Sequence, residues 1–235
     1  MKSIGKVGEI WRYPVKSTRG EQLKASRVGS KGLAGDRGWA VRDDKAGELR
    51  GGRHLPKLLQ CRSRYRSEPA SEPWPPAWIT TPTGAEFASD DPDAGRQLSE
   101  WMGTPVSLWP IQPPEDLEHY RRLPMTEQEL IEQFAREPGE PLPDLQMFPQ
   151  ELMHYVSHPG TYFDVQPVHL LTTASLEHMR SLNAGADWAV QRFRPNIVVD
   201  TGSLRGLIEA GWTGRTIRIG EVELSVYSPA PRCAN

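Results

Sequence analysis

Cysteine is scarce in this chain: 235 residues hold only two, Cys61 and Cys233, far apart and in dissimilar contexts. A disulfide framework is therefore excluded as the source of stability, and free thiols in a reducing cytoplasm are the natural reading. An excess of charge of either sign is also missing. The 28 Lys and Arg against 30 Asp and Glu leave a formal charge of −2, with no basic run, which argues against a nucleic-acid or membrane-surface binder. No apolar run approaches transmembrane length and the first residues hold no apolar leader core, so a soluble, cytoplasmic protein is expected. A Walker loop, a Gly-rich dinucleotide fingerprint and an HExxH helix are absent as well. Any anion site must then be local.

Proline is plentiful, with 22 residues, many of them between Pro69 and Pro167, which suggests long irregular connections rather than a helical bundle. Short alternating segments with turn residues between them make up most of the rest. Ile4–Val15 reads as a strand running into Tyr13-Pro14-Val15-Lys16-Ser17, Leu23–Val28 as a second, and Gly35-Asp36-Arg37-Gly38-Trp39 opens a third. Asp43–Gly47 turns that strand back as a hairpin, and Leu58–Tyr65 and Trp78–Phe87 add further short strands. A short helix through Leu98, Trp101 and Met102 is stopped by Gly103, and Val106–Trp109 reads as strand. The fold class implied is mainly β with some α, as a barrel or sandwich.

Residues 110–165 change character, becoming Pro-rich, acidic and locally helical, with a capping box at Thr126–Glu129; they read as an insertion packed over the barrel, or a lid. His154 and His158 stand at helical spacing, but no acid–base glutamate lies between them, and a metal site there is not expected. Val168–Leu176 then reads as strand, hydroxyl-rich turn and helix. Thr172 and Thr173 either form a local anion site with the free amides of that helix start or simply cap it. In Arg192-Phe193-Arg194-Pro195-Asn196, strand alternation would put both arginines on one face at a rim. The final strand pattern, Ile217, Ile219, Val222, Leu224 and Val226, leads into Ser228-Pro-Ala-Pro-Arg-Cys233. There the prolines extend the backbone and set Arg232 beside Cys233. A neighbouring guanidinium favours the thiolate, which is a nucleophile and a soft-metal ligand; the alternative is a small buried residue in a β wall.

Lys16, Ser17, Arg37, Thr172, Thr173, Arg194, Asn196, Arg232 and Cys233 thus lie mostly at strand ends or strand-to-helix turns, where barrel rims carry binding groups. Cations, hydroxyls and amides of this kind suit a phosphate-bearing, amide-rich ligand, and a thiolate adds a soft ligand for a metal that such a molecule carries.

The motifs also carry a resemblance. Tyr13-Pro14-Val15-Lys16-Ser17 and Gly35-Asp36-Arg37-Gly38-Trp39 resemble the MOSC N-terminal β-barrel domain. Leu170–Leu176, Phe193-Arg194-Pro195-Asn196, Ile219-Gly220-Glu221-Val222 and Pro231-Arg232-Cys233 resemble the MOSC domain itself. The family includes the mitochondrial amidoxime-reducing component and bacterial reductases of N-hydroxylated bases. The resemblance implies an N-terminal barrel-like domain over residues 1–109, the insertion at 110–165, and a MOSC barrel over 166–235 that is incomplete after Cys233. It implies a molybdenum cofactor, a molybdopterin, with Cys233 as catalytic residue and metal ligand. Lys16, Ser17, Arg37 and Arg194 would hold the cofactor, with Thr172, Thr173, Asn196 and Arg232 as neighbours. The missing strands lead us to expect low cofactor occupancy. The activity implied is oxygen-atom removal from an N-hydroxylated small molecule, with electrons from separate electron-transfer proteins, since two cysteines cannot hold an iron–sulfur cluster. Two alternatives follow from the same architecture: a sulfur carrier using a Cys233 persulfide supplied by a pyridoxal-phosphate-dependent cysteine desulfurase, or an inactive binding module.

Overall fold

The computed structural model describes residues 3–134, 136–137, 139–141 and 149–230. Arg232 and Cys233 lie outside the described residues. Along the chain the strands are Lys6–Arg12 (β1), Glu21–Leu23 (β2), Val28–Gly29 (β3), Gly32–Leu33 (β4), Trp39–Asp43 (β5), Glu48–Leu49 (β6) and Arg62–Tyr65 (β7). Ala77–Thr80 (β8), Glu86–Ala88 (β9), Val106–Pro110 (β10), Leu170–Thr172 (β11), Ile197–Asp200 (β12), Thr216–Ile219 (β13) and Val222–Ser225 (β14) follow. The α-helices are Ala94–Met102 (α1), Leu117–Tyr120 (α2), Glu127–Gln133 (α3), Thr173–Leu182 (α4) and Val190–Phe193 (α5). The protein is mainly β with some helix. Among the described residues the strands pair as short open ladders.

The chain divides into two compact units and passes between them more than once: residues 3–12, 21–34 and 166–230 form one, residues 13–20 and 35–165 the other. The first unit is built on a four-stranded sheet in the order β11-β12-β1-β2. In it β11 runs parallel to β12, and β1 is antiparallel to both β12 and β2. Successive residues of β12 (Ile197, Val198, Val199) are all buried, as expected of a strand covered on both faces.

The second unit holds β10-β5-β6 and the meander β7-β8-β9. Alternation along β5 separates two cores. Trp39 and Val41 join Val15, Leu58, Ile79, Phe87 and Leu98 in one, while Ala40 packs with Leu49, Tyr120 and Tyr162 in the other. Ile79 and Leu98 are almost wholly buried, and each such side chain contributes about 1.5–3 kcal/mol of transfer free energy. Gly103 ends α1 in the left-handed conformation at φ 77°, as its sequence position indicates. The capping box is also present: Thr126 accepts from the Glu129 amide, and Glu129 reaches back to the amide of Thr126.

Two readings of local structure are corrected. The residues from Ile217 to Val226 form a hairpin, not one strand, with Ile219 opposite Val222 across Gly220-Glu221. The three-residue step between Ile219 and Val222 breaks strict alternation because a two-residue turn intervenes. Arg192 and Arg194 do not share a strand face: Arg192 lies in the helical turn α5, and Arg194 is its left-handed cap.

Candidate functional site

After β1 the chain passes into the second unit and makes a tight turn. The Val15 carbonyl accepts from the Thr18 amide (3.2 Å) and hydroxyl (2.9 Å), and Lys16 donates its amide to the Trp39 carbonyl (2.8 Å). Ser17, third in that turn, has φ 67°, a left-handed value that glycine takes far more readily than serine. Its Oγ accepts from the Gly52 amide at 2.8 Å.

The Lys16 side chain is 11% exposed, and its Nζ donates to the Tyr162 carbonyl (2.8 Å) and the Asp164 carboxylate (2.6 Å). Burying an ammonium is tolerated only with such partners. Asp164 itself is 80% exposed.

The Gly35–Gly38 turn is shaped by Tyr65, whose hydroxyl donates to the Gly35 carbonyl at 2.7 Å. A Cβ on Gly35 would stand 2.7 Å from the Tyr65 ring, and one on Gly38 2.3 Å from its hydroxyl, so both positions require glycine. Between them the buried Asp36 accepts from the Tyr13 amide (2.8 Å) and pairs with the Arg37 guanidinium. Arg37 also lies over the rings of Tyr13 (5.2 Å) and Phe163 (5.9 Å). Burial works against its charge, yet Asp36 and Asp164 outweigh that and hold it above its usual range. Arg37 has φ 52°.

In the other unit β11 delivers Thr172 to the start of α4. The buried Thr172 hydroxyl accepts from the Ser175 amide (3.1 Å) and donates to Glu209 (2.8 Å). Ser175 Oγ donates to the same carboxylate oxygen at 2.6 Å. Thr173 Oγ1 meets Thr201 Oγ1 at 3.0 Å, and the Ala174 amide donates to Thr201 Oγ1. The chain's own groups therefore cap this helix, and the anion at its start is Glu209. Asn196, 1% exposed, spends its side-chain amide on the backbone: Nδ2 donates to the Trp11 carbonyl and Oδ1 accepts from the His169 amide. Arg194 has φ 53° and ψ 45° immediately before Pro195, which favours an extended residue at that position.

Among the described residues, Ser17, Arg37 and Arg194 are the only non-glycine residues with positive φ, and all three are ligand-holding candidates by their motifs. Such conformations cost of order 1–3 kcal/mol each and concentrate at functional sites.

Sequence reasoning missed Asp164, Tyr162, Phe163 and Glu209. A countercharge rule could have pointed to a carboxylate for a buried Lys16, but the Pro-rich segment that supplies it has no periodicity to locate one. Cys61 is fully buried just before β7, and burial pushes its thiol up to about 11, so it is a packing residue. Neither ring nitrogen of His158 is open, since Nδ1 meets Glu151 (2.5 Å) and Nε2 the Val165 carbonyl (3.1 Å). No cluster of three or more His, Cys, Asp or Glu among the described residues is arranged to hold a bare metal ion.

Buried cations and fixed hydroxyls at strand ends can hold an anionic small molecule. Comparison with known families gives this class of fold its name. The MOSC N-terminal beta barrel domain matches residues 4–72 and the MOSC domain matches residues 157–235. The chain belongs to the MOSC family. The MOSC domain is a molybdenum-cofactor-binding type of domain, associated with molybdenum cofactor sulfurase and related proteins. No curated protein matches the chain. No helix among the described residues is long and apolar enough to cross a membrane.

The residues present fit an anionic, phosphate-bearing cofactor on two counts. The buried Lys16 ammonium requires a negative partner, and Asp164, which it holds, is mostly in solvent. Beside it, a Cβ on Gly51 would stand 2.8 Å from Ser17 Oγ and 3.7 Å from Lys16 Cε, so only glycine lets the backbone close on the Ser17 hydroxyl and hold it next to the Lys16 stem.

Proposed function

We propose that this protein binds the molybdenum cofactor and reduces N-hydroxylated small molecules, with electrons supplied by separate electron-transfer proteins. The observation that carries the reading is the agreement of two independent signals. The motifs that resemble cofactor-holding segments contain Ser17, Arg37 and Arg194, and these same residues hold left-handed backbone at a cost the fold would otherwise shed.

The bound cofactor supplies the chemistry of removing oxygen from an N–O group; the protein supplies binding, orientation and electrostatics. Lys16 offers an ammonium whose partner carboxylate faces water. Ser17 offers a hydroxyl fixed by the Gly52 amide, and Arg37 a guanidinium held by Asp36 against two rings. Arg194 presents its side chain from a fixed cap after α5. Thr172, Thr173 and Asn196 serve the frame of the unit that carries Arg194, through the hydrogen bonds already described. Cys233 is proposed as the metal ligand.

The experiment is metal and pterin analysis of the purified protein beside turnover of an N-hydroxylated base with an artificial electron donor, in the wild type and in Cys233→Ala. The expected result is molybdenum with pterin in the wild type and lost turnover in the variant. A wild type holding cyanide-releasable sulfur on Cys233 but no molybdenum would replace this reading with sulfur carriage.

A further inference from the structure

We infer that Asp164 is an internal stand-in for the anionic group of the ligand, a carboxylate that occupies the Lys16 ammonium until a phosphate-type anion takes its place. The inference rests on the proposed function only in naming that ligand as the cofactor. The exchange itself stands on the geometry of the pair.

Three observations carry it. The first is asymmetry of burial: the Lys16 side chain is 11% exposed and the Asp164 side chain 80%, although their charged atoms are 2.6 Å apart. A buried ammonium without a negative partner is strongly disfavoured, whereas an exposed carboxylate loses little by returning to water. Exchange therefore leaves Lys16 in place, with Asp164 returning to water as another anion enters. The second is the surrounding charge. Arg37 feels Asp164, and so does the half-buried Arg122, which also lies near Glu48 and Arg53. Asp164 thus lies in the field of one ammonium and two guanidinium groups, of which Arg37 is also paired with Asp36 and Arg122 is also near Glu48, so its departure leaves the Lys16 charge for an entering anion to balance. The third is a fixed hydroxyl at the same place. A Cβ on Gly51 would stand 2.8 Å from Ser17 Oγ and 3.7 Å from Lys16 Cε, so only glycine lets the backbone close on the Ser17 hydroxyl next to the Lys16 stem.

Asp164 then sets a threshold for anion binding. It keeps the empty protein stable, and it lowers the affinity for weak anions because each must displace it.

The test uses inorganic phosphate as the probe, with chloride at equal ionic strength as control, and reads thermal unfolding of the full chain. The wild type is expected to gain stability with phosphate. Asp164→Asn should start lower and reach half of its gain at about fivefold less phosphate, since an exposed competing ion pair is worth up to about 1 kcal/mol. Asp164→Glu should behave as the wild type, and Lys16→Gln should not respond. A phosphate response in Asp164→Asn equal to or weaker than that of the wild type overturns the inference, as does an unchanged response in Lys16→Gln. If Lys16→Gln fails to fold by circular dichroism, the comparison of Asp164→Asn with Asp164→Glu decides alone. Molybdenum and pterin content is read separately. Phosphate exchange without any pterin defeats the proposed function and leaves Asp164 in this role, and the reverse pattern defeats only the role of Asp164.

Discussion

Asp164 and Glu209 each place a carboxylate where a sequence motif invites an anion, the first on Lys16 and the second at the start of α4. Asp164 is 80% exposed and meets a side chain that is almost buried. Glu209 meets two hydroxyls, of Thr172 and Ser175, whose residues are 0% and 4% exposed, and the Thr172 amide as well (3.3 Å). The same chemical group therefore serves two ends. At α4 it completes a buried cap, which turns a motif that reads as a ligand site into part of the frame. At Lys16 it covers a charge that an incoming anion can claim. What separates a binding group from a structural one here is the burial of the partner it would have to give up.

That contrast can be broken most sharply at Arg37. Its partner Asp36 is wholly enclosed, so Arg37→Ala leaves a buried carboxylate without its guanidinium, and a loss of about 3–5 kcal/mol is expected in denaturant unfolding. A loss under about 1 kcal/mol would mean that Asp36 is satisfied without it. Next in size is Glu209→Ala, expected to cost about 2–3 kcal/mol through buried hydroxyls that lose charged partners, against no more than about 1 kcal/mol for Asp164→Asn. Equal costs would erase the distinction between the two carboxylates.

A smaller effect is expected at the left-handed cap. Arg194→Gly relieves backbone strain of about 1–2 kcal/mol, so stability should hold or rise slightly while cofactor retention falls. A variant that keeps both would remove Arg194 from the site. The smallest effect is in pH dependence. Partial burial and the guanidinium groups of Arg53, Arg50 and Arg122 push His54 down to about 4, with Glu129 opposing. An unfolded histidine titrates near 6.5, so the unfolded chain binds this proton first. Stability is therefore full above about pH 6.5 and declines as pH falls toward 4. His54→Gln should flatten that part of a melting-temperature profile, and an unchanged slope would locate the dependence elsewhere.

Much of the fold was legible because its signals are local. Gly103 stops α1, Thr126 and Glu129 close the capping box, and the strand and helix read over Val168–Leu176 are β11 and the start of α4, which follow one another directly at Thr172 and Thr173. Where periodicity carried the reading, one misplaced parity misled it. The hairpin at Gly220-Glu221 looks like a continuous strand until the odd step from Ile219 to Val222 is counted. The candidate residues were legible through their motifs, but their states were not. That the Asn196 amide is spent on Trp11 and His169, or that Thr172 faces Glu209, depends on partners 27 to 185 residues away in sequence. The left-handed backbone at Ser17, Arg37 and Arg194 left no trace in composition, because these residue types ordinarily avoid it.

The most direct test of the account is the molybdenum and pterin content of protein purified from cells that make the cofactor, compared for the wild type, Asp164→Asn and Lys16→Gln at equal folded fraction. The account predicts molybdenum and pterin together in the wild type, both kept in Asp164→Asn, and both lost in Lys16→Gln. A wild type free of both, or a Lys16→Gln variant that retains them undiminished, would contradict it.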